Sequence, residues 1–318
     1  MLDKIISLNP WIEVFIKWLY WQSSGLRNVL QPILKKIRRG GILELTEPDG
    51  LDKLKLLIKE FDIAVDDILV VHSSFTDLRL FSATPENLLD FLLTQVVPRG
   101  TLVLPAMPIM KDLNGNISGY PGDPDRTVIF DVKRSPPWTG VLPRKLMRYP
   151  GSIRWINPIN NIVALGHHAK EMMSGNFLAE DPSEIFPSGK NSPWEYMAMK
   201  NAKILSLGTD LVHSLTMIHY AEDIKGRSWP IHHWYRKRKF IIRTEGESHE
   251  LSLNERDPRW ATNFAERTLR KDLLSAGLMK SRRINGAKVE FLETADLVNF
   301  LNAKNVSGYP YFTLSAKS

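Results

Sequence analysis

The sequence predicts a three-layer α/β/α domain with a mixed, largely parallel central sheet. Three observations predict it. Short apolar runs such as Ile68-Leu69-Val70-Val71 read as buried strands. Segments of helical periodicity alternate with those runs from Leu51 onward, as expected of a sheet covered on both faces. With 318 residues, 43% of them hydrophobic, the chain can bury a large core.

The elements follow in order. Residues 1–40 differ from the rest: Trp11, Phe15, Trp18, Tyr20 and Trp21 crowd a short amphipathic, basic and aromatic segment. It is set apart from a body at 41–318 and is expected to be removable. Its apolar runs fall far short of the roughly 20 residues that span a bilayer. Trp, Tyr and Lys suit peripheral contact with a membrane; packing on the body or on a second subunit in a homodimer is the commoner fate of such a face. Residues 52–61 read as a helix, 68–71 as a strand ending at His72-Ser73-Ser74. Thr84-Pro85 starts a helix, with Thr84 as its cap, and Pro98-Arg99-Gly100 stops it. A strand at 101–104 follows. The Gly-, Pro- and Asp-rich stretch 106–137 is long for a connection and is expected to help form a site. Further helices are expected at 140–149, 213–224, 264–276 and 294–303, further strands at 162–165 and 203–207, and a hairpin of 239–243 with 250–253 across Gly246.

No cysteine is present, which removes disulfides, thiolate metal sites and a cysteine nucleophile. With no cleavable signal at Met1–Ser7, a cytoplasmic location is the default. The formal charge of +7 favours anionic partners or simply marks a solvated surface. Its clusters, at 35–39 and 236–239, carry no nucleic-acid-binding signature, so no nucleic-acid partner is expected. Walker, GxGxxG and GxSxG patterns are missing.

Ligands of such sheets bind beyond the carboxyl ends of strands. His72, Ser73 and Ser74 sit at one such end. A histidine there is expected to be exposed enough to act as a base; the alternative is a capped turn with a structural histidine. His219 and Glu222 lie three apart on a helix and so share a face. A carboxylate there would raise the imidazole's basicity; a surface ion pair is the alternative. His167-His168 and His232-His233 point apart, and no metal site is expected.

The ordered segments Val70-Val71-His72-Ser73-Ser74, Pro98–Pro105, Phe130-Asp131 with Pro136 to Pro143, Leu207-Gly208 with His219-Tyr220-Ala221-Glu222, and Gly286-Ala287 with Ala295–Val298 resemble the aminoglycoside 3-N-acetyltransferase family. The resemblance implies acetyl coenzyme A, or another acyl coenzyme A, as co-substrate, and direct attack by an amine of an amino sugar. By resemblance Ser73, Ser74, Thr76, Trp138, Thr139 and Gly140 line the pantetheine arm, while His72, His219 and Glu222 are catalytic candidates. One departure stands out. Where the family commonly has His-Pro-x-His-Ser, with the second histidine as the favoured base, this chain has Asn157-Pro158-Ile159-Asn160-Asn161. Asn160 cannot take a proton near pH 7. Either another residue serves as base, the acceptor arrives differently, or the chain is a silent relative. Because the chain is basic, a nucleotide- or lipid-linked amino sugar of surface polysaccharide, met at the inner face of a membrane, is expected over a polycationic antibiotic.

Overall fold

The computed structural model describes residues 6–23, 49–74, 81–118, 123–175, 185–211, 214–225, 229, 231–305 and 311–312. Thr76 and the basic cluster at 35–39 lie outside them. In chain order the helices are α1 (Pro10–Gln22), α2 (Gly50–Glu60), α3 (Pro85–Val96), α4 (Val141–Leu146), α5 (Ala169–Met173), α6 (Pro193–Met199), α7 (Ile218–Asp223), α8 (Glu266–Ser275) and α9 (Thr294–Asn305). The strands are β1 (Ile68–Ser73), β2 (Thr101–Pro105), β3 (Lys111–Asp112), β4 (Val128–Asp131), β5 (Ile153–Arg154), β6 (Ile162–Gly166), β7 (Lys203–Leu207), β8 (Tyr235–Arg243), β9 (Ser248–Arg256), β10 (Met279–Ile284) and β11 (Ala287–Glu293).

The main sheet runs β10-β11-β7-β1-β2-β6-β5. The α/β fold with a mixed sheet is as expected, and its parallel pairing is confined to the three central strands, β7-β1-β2. Alternate side chains of β1 feed two cores. Leu69 and Val71 pack with Leu54 and Ile58 of α2 and the Leu88–Val96 face of α3. Ile68 and Val70 pack on the other side with residues of α5, α6, α8 and α9. Thr84 accepts a hydrogen bond from the Asn87 amide at 3.1 Å, and Pro85 occupies the first turn, so α3 starts where its cap chemistry dictates. At the far end of β6, Gly166 has φ +133°, and a Cβ there would stand 2.2 Å from the Gly100 carbonyl oxygen. Only glycine lets β6 close onto β2.

A second sheet, β3-β4-β8-β9, holds its own small core of Val128, Phe130, Phe240, Ile242 and Leu253. The expected hairpin is β8–β9, longer than anticipated and turning at Gly246. The stretch 106–137, expected to be irregular, contributes β3 and β4. The hairpin β10–β11 was not anticipated. Its Asn285-Gly286 turn, with φ +47° and +86°, is the signal that finds it; the charged Met279–Ile284 sequence masks it.

Helix α1 is tied to the body. Glu13 is fully buried, and its carboxylate accepts hydrogen bonds from the Arg267 amide (2.9 Å), the Thr268 amide (2.8 Å) and the Thr268 hydroxyl (2.9 Å). Lys17 bonds the Phe264 carbonyl at 2.6 Å and pairs with Glu266. Glu13 and Lys17 thus hold this helix against α8 and the segment before it.

Candidate active site

The carboxyl ends of β7, β1 and β2 open onto one cavity of about 830 Å³, where the strand-end rule puts a ligand. His72 and Ser73 come from β1, Pro105 from β2, and Thr209 follows β7. Met107, Ile109 and Trp138 give the wall apolar surface beside Thr139, and α7 adds His219, Glu222 and Asp223 to it. The cavity thus gathers His72, Ser73, Trp138, Thr139, Asn160, His219 and Glu222 of the residues that the sequence singles out. Ser74, whose amide donates to the Leu207 carbonyl at 3.1 Å, and Gly140, which caps α4, are outside its wall.

His72 is buried, 5% exposed, rather than exposed as expected. Its place on a central strand is the reason: β1 is covered on both faces. Burial lowers its pKa to about 4, so the ring is neutral at pH 7. Its Nε2 has no hydrogen-bond partner among the described residues. An orphaned polar atom on a cavity wall fits a site whose missing partner is a ligand.

His219 Nδ1 lies 2.8 Å from Glu222 Oε2, and Glu222 is fully buried. The helical spacing thus places the pair as read from the sequence. The expected rise in basicity does not follow, however. Burial lowers the His219 pKa, Arg256 adds to the lowering, and Glu222 offsets only part of it. The imidazole is held neutral, with one nitrogen fixed by the carboxylate. Glu222 also lies 3.8 Å from the Arg256 guanidinium.

Asn160 takes a left-handed backbone, φ +51°, which asparagine tolerates better than most residues. Its side-chain amide donates to Ser188 Oγ at 2.8 Å, and its carbonyl accepts from the Trp194 indole at 3.1 Å. Asn157 accepts from the Ile159 amide at 2.9 Å, an Asx turn. Asn161 donates to the Trp155 and Asn157 carbonyls. The asparagines of this loop hold its shape. Arg154 binds the loop to the 106–137 stretch, reaching Asn161 Oδ1 (2.7 Å), the Ala106 carbonyl (2.7 Å) and the Ser135 carbonyl (2.5 Å).

Sequence reasoning missed Asp223. It is buried on the cavity wall, accepts from Tyr235 Oη and from the Ser188 amide, each at 2.7 Å, and has its pKa pushed up to about 7, chiefly by burial. An acid next to Glu222 in a helix with no basic residue in its last turn was the available signal. Ser188 thereby links Asn160 to Asp223.

The sequence model of the family described as aminoglycoside 3-N-acetyltransferase matches residues 70–304. The chain belongs to that family. As a member it is a coenzyme A-dependent N-acetyltransferase with acetyl coenzyme A as co-substrate. The acetyltransferase is 23% identical over 279 residues to aminoglycoside N(3)-acetyltransferase IX of Micromonospora chalcea, covering 80% of this chain and 92% of the relative. It is 27% identical over 169 residues to aminoglycoside N(3)-acetyltransferase VIII of Streptomyces fradiae, a match spanning 51% of this chain and 56% of the relative. Among solved structures it is similar to aminoglycoside acetyltransferase AAC(3)-IVa as apoenzyme (TM-score 0.64, 21% identity, 84% of this chain and 92% of that one). It is likewise similar to AAC-IIIb in a binary complex with CoASH (TM-score 0.62, 21% identity, 83% and 98%). These likenesses agree on the fold. Among the described residues no group of His, Asp or Glu could hold a metal ion.

Proposed function

We propose that this acetyltransferase acylates the amine of an amino sugar, with His219 as the general base. The observation that supports this most directly is the His219–Glu222 pair on the wall of the cavity that the β1 strand end also lines. The co-substrate supplies an acyl group activated as a thioester. Ser73, Trp138 and Thr139 would line its arm; Thr139 is already fixed by donating to the Pro105 carbonyl at 2.6 Å. The unpartnered His72 Nε2 would face the acyl carbonyl oxygen and stabilise charge developing there. His219 would take the proton from the attacking nitrogen as the new C–N bond forms and the C–S bond breaks, leaving coenzyme A thiolate to be protonated. Glu222 would hold the resulting imidazolium. Asn160, in place of a histidine, would position the acceptor side rather than carry a proton.

For the acceptor, we favour an amino sugar that also bears an anion, such as a nucleotide- or lipid-linked precursor of surface polysaccharide. The acids on the cavity wall are matched by cations: Arg238 bonds Glu255 at 2.9 Å and Arg256 lies beside Glu222. A polycation would meet little net acid there. Membership of the family and the presence of Asp223 on the wall favour a second reading, an aminoglycoside acceptor. Incubation with acetyl coenzyme A and a panel of both acceptor classes, read as thiol release, separates them. Release with neither class would count against the proposed activity.

A further inference from the structure

Helix α1 is amphipathic the wrong way round for a helix that simply covers a core. At 100° per residue, Trp11, Ile12, Phe15, Trp18 and Leu19 fall in one arc, and all five are exposed, Trp11 to 62%, Phe15 to 58% and Trp18 to 53%. Phe15 and Trp18 stack on each other with ring centroids 6.3 Å apart. The opposite arc carries Glu13 and Lys17, which face the body. Glu13 supplies the first-turn amides of α8 with the cap that Ala265 cannot provide. Lys17 closes the contact onto Glu266 and the Phe264 carbonyl. Those polar bonds fix the rotation of α1, so turning the aromatic face inward would strip the buried Glu13 carboxylate and the half-buried Lys17 ammonium of their partners. The exposed face is therefore a specified feature of the fold.

We infer that this face is a docking surface for an anionic lipid bilayer. Trp and Phe on one helix flank match the interfacial zone of a membrane, where an amphipathic helix lies in the plane. Charge selects the bilayer over a second copy of the chain. The protein carries a net +7, with Lys35, Lys36, Arg38 and Arg39 following α1 in sequence. Arg259, 70% exposed and paired with Asp257 at 3.0 Å, and Lys271, 41% exposed and 3.8 Å from Asp272, belong to the two segments that pack against α1, so the surplus cation comes from the chain as a whole. Two copies of a chain at +7 repel one another, whereas an anionic surface attracts it. Among the described residues no helix is long and apolar enough to cross a membrane, so the contact is peripheral. This inference rests on α1 and its surroundings and is independent of the acceptor reading.

The test is flotation of the full chain with vesicles of phosphatidylglycerol and phosphatidylcholine, and with phosphatidylcholine alone, at low salt. Wild-type protein is expected to float with the anionic vesicles only. The triple variant Trp11→Ser, Phe15→Ser, Trp18→Ser is expected to keep its Tm and thiol release and to lose at least tenfold in vesicle partitioning. Should the triple variant lose its fold, Trp11→Ser alone is expected to weaken partitioning severalfold. No flotation of the wild type, equal flotation with neutral vesicles, or undiminished flotation of a folded variant overturns the inference. So does a vesicle-free dimer, seen by light scattering, that dissociates in the variant while the wild type fails to float.

Discussion

At the scale of single residues, the site is governed by burial. His219 is held neutral by desolvation even though Glu222 sits 2.8 Å away. His219→Ala is expected to lower turnover by about a hundredfold or more while leaving coenzyme A binding within a few-fold; near-normal turnover would remove His219 as base. Substitution of His232 or His233, away from the cavity wall, should be mild. A pH–rate profile adds a second check. The acid limb due to His219 should lie below the ordinary histidine value of about 6.5, since its pKa is lowered. A limb near neutrality that disappears in Asp223→Asn would report Asp223 instead. His72 makes a prediction about stability. Its pKa falls from 6.5 unfolded to about 4 folded, so the unfolded chain binds the proton first. Stability due to this group is complete above about pH 6.5 and is lost as pH falls toward 4, by up to about 3 kcal/mol. His72→Gln should flatten that part of the Tm-against-pH curve; an unchanged slope would mean that the ring is not buried as described.

At the scale of elements, the decisive contact is between α1 and α8, about 250 residues apart in sequence. α8 lacks a capping side chain of its own, and Glu13 replaces it. Glu13→Ala leaves the Arg267 and Thr268 amides without their acceptor and should destabilise the fold by about 2 kcal/mol. Chemical denaturation would read this as a lower midpoint at an unchanged slope. Deletion of the first 23 residues should cost more, because Val14, 8% exposed, and the Lys17 contacts go with it. A truncated chain as stable as the full one would return α1 to the status of an appendage.

At the scale of the whole molecule, the parallel centre of the sheet places three strand ends at one cavity, and the small second sheet contributes Tyr235, Arg238, Glu255 and Arg256 to its wall. The cavity is preformed, so coenzyme A should stabilise the folded state. At about one hundred times its Kd the gain is about 2.7 kcal/mol, and a rise in Tm of about 4 °C is expected. A scan with millimolar coenzyme A that shows no shift would contradict co-substrate binding at this site.

What the sequence determined by itself was local and periodic. Strands β1, β2, β6 and β7 were legible because each is a short apolar run bounded by turn residues, and α3 because Thr84-Pro85 is a start signal in its own right. The His219–Glu222 pair was legible because helical spacing alone puts the two on one face. The tertiary structure decided the rest. Whether a neighbouring carboxylate or burial governs His219 depends on how much water the surrounding chain removes, which spacing does not encode. Asp223 became a site residue only when β8 brought Tyr235 to it and the turn at Ser188 brought a backbone amide. The direction in which α1 faces was likewise open in its sequence, since an amphipathic helix states that it has two faces and not which one is covered. Buried Glu13 and half-buried Lys17 settle it by finding partners on α8 and the segment before it, because a buried charge without such partners costs more than an exposed aromatic face.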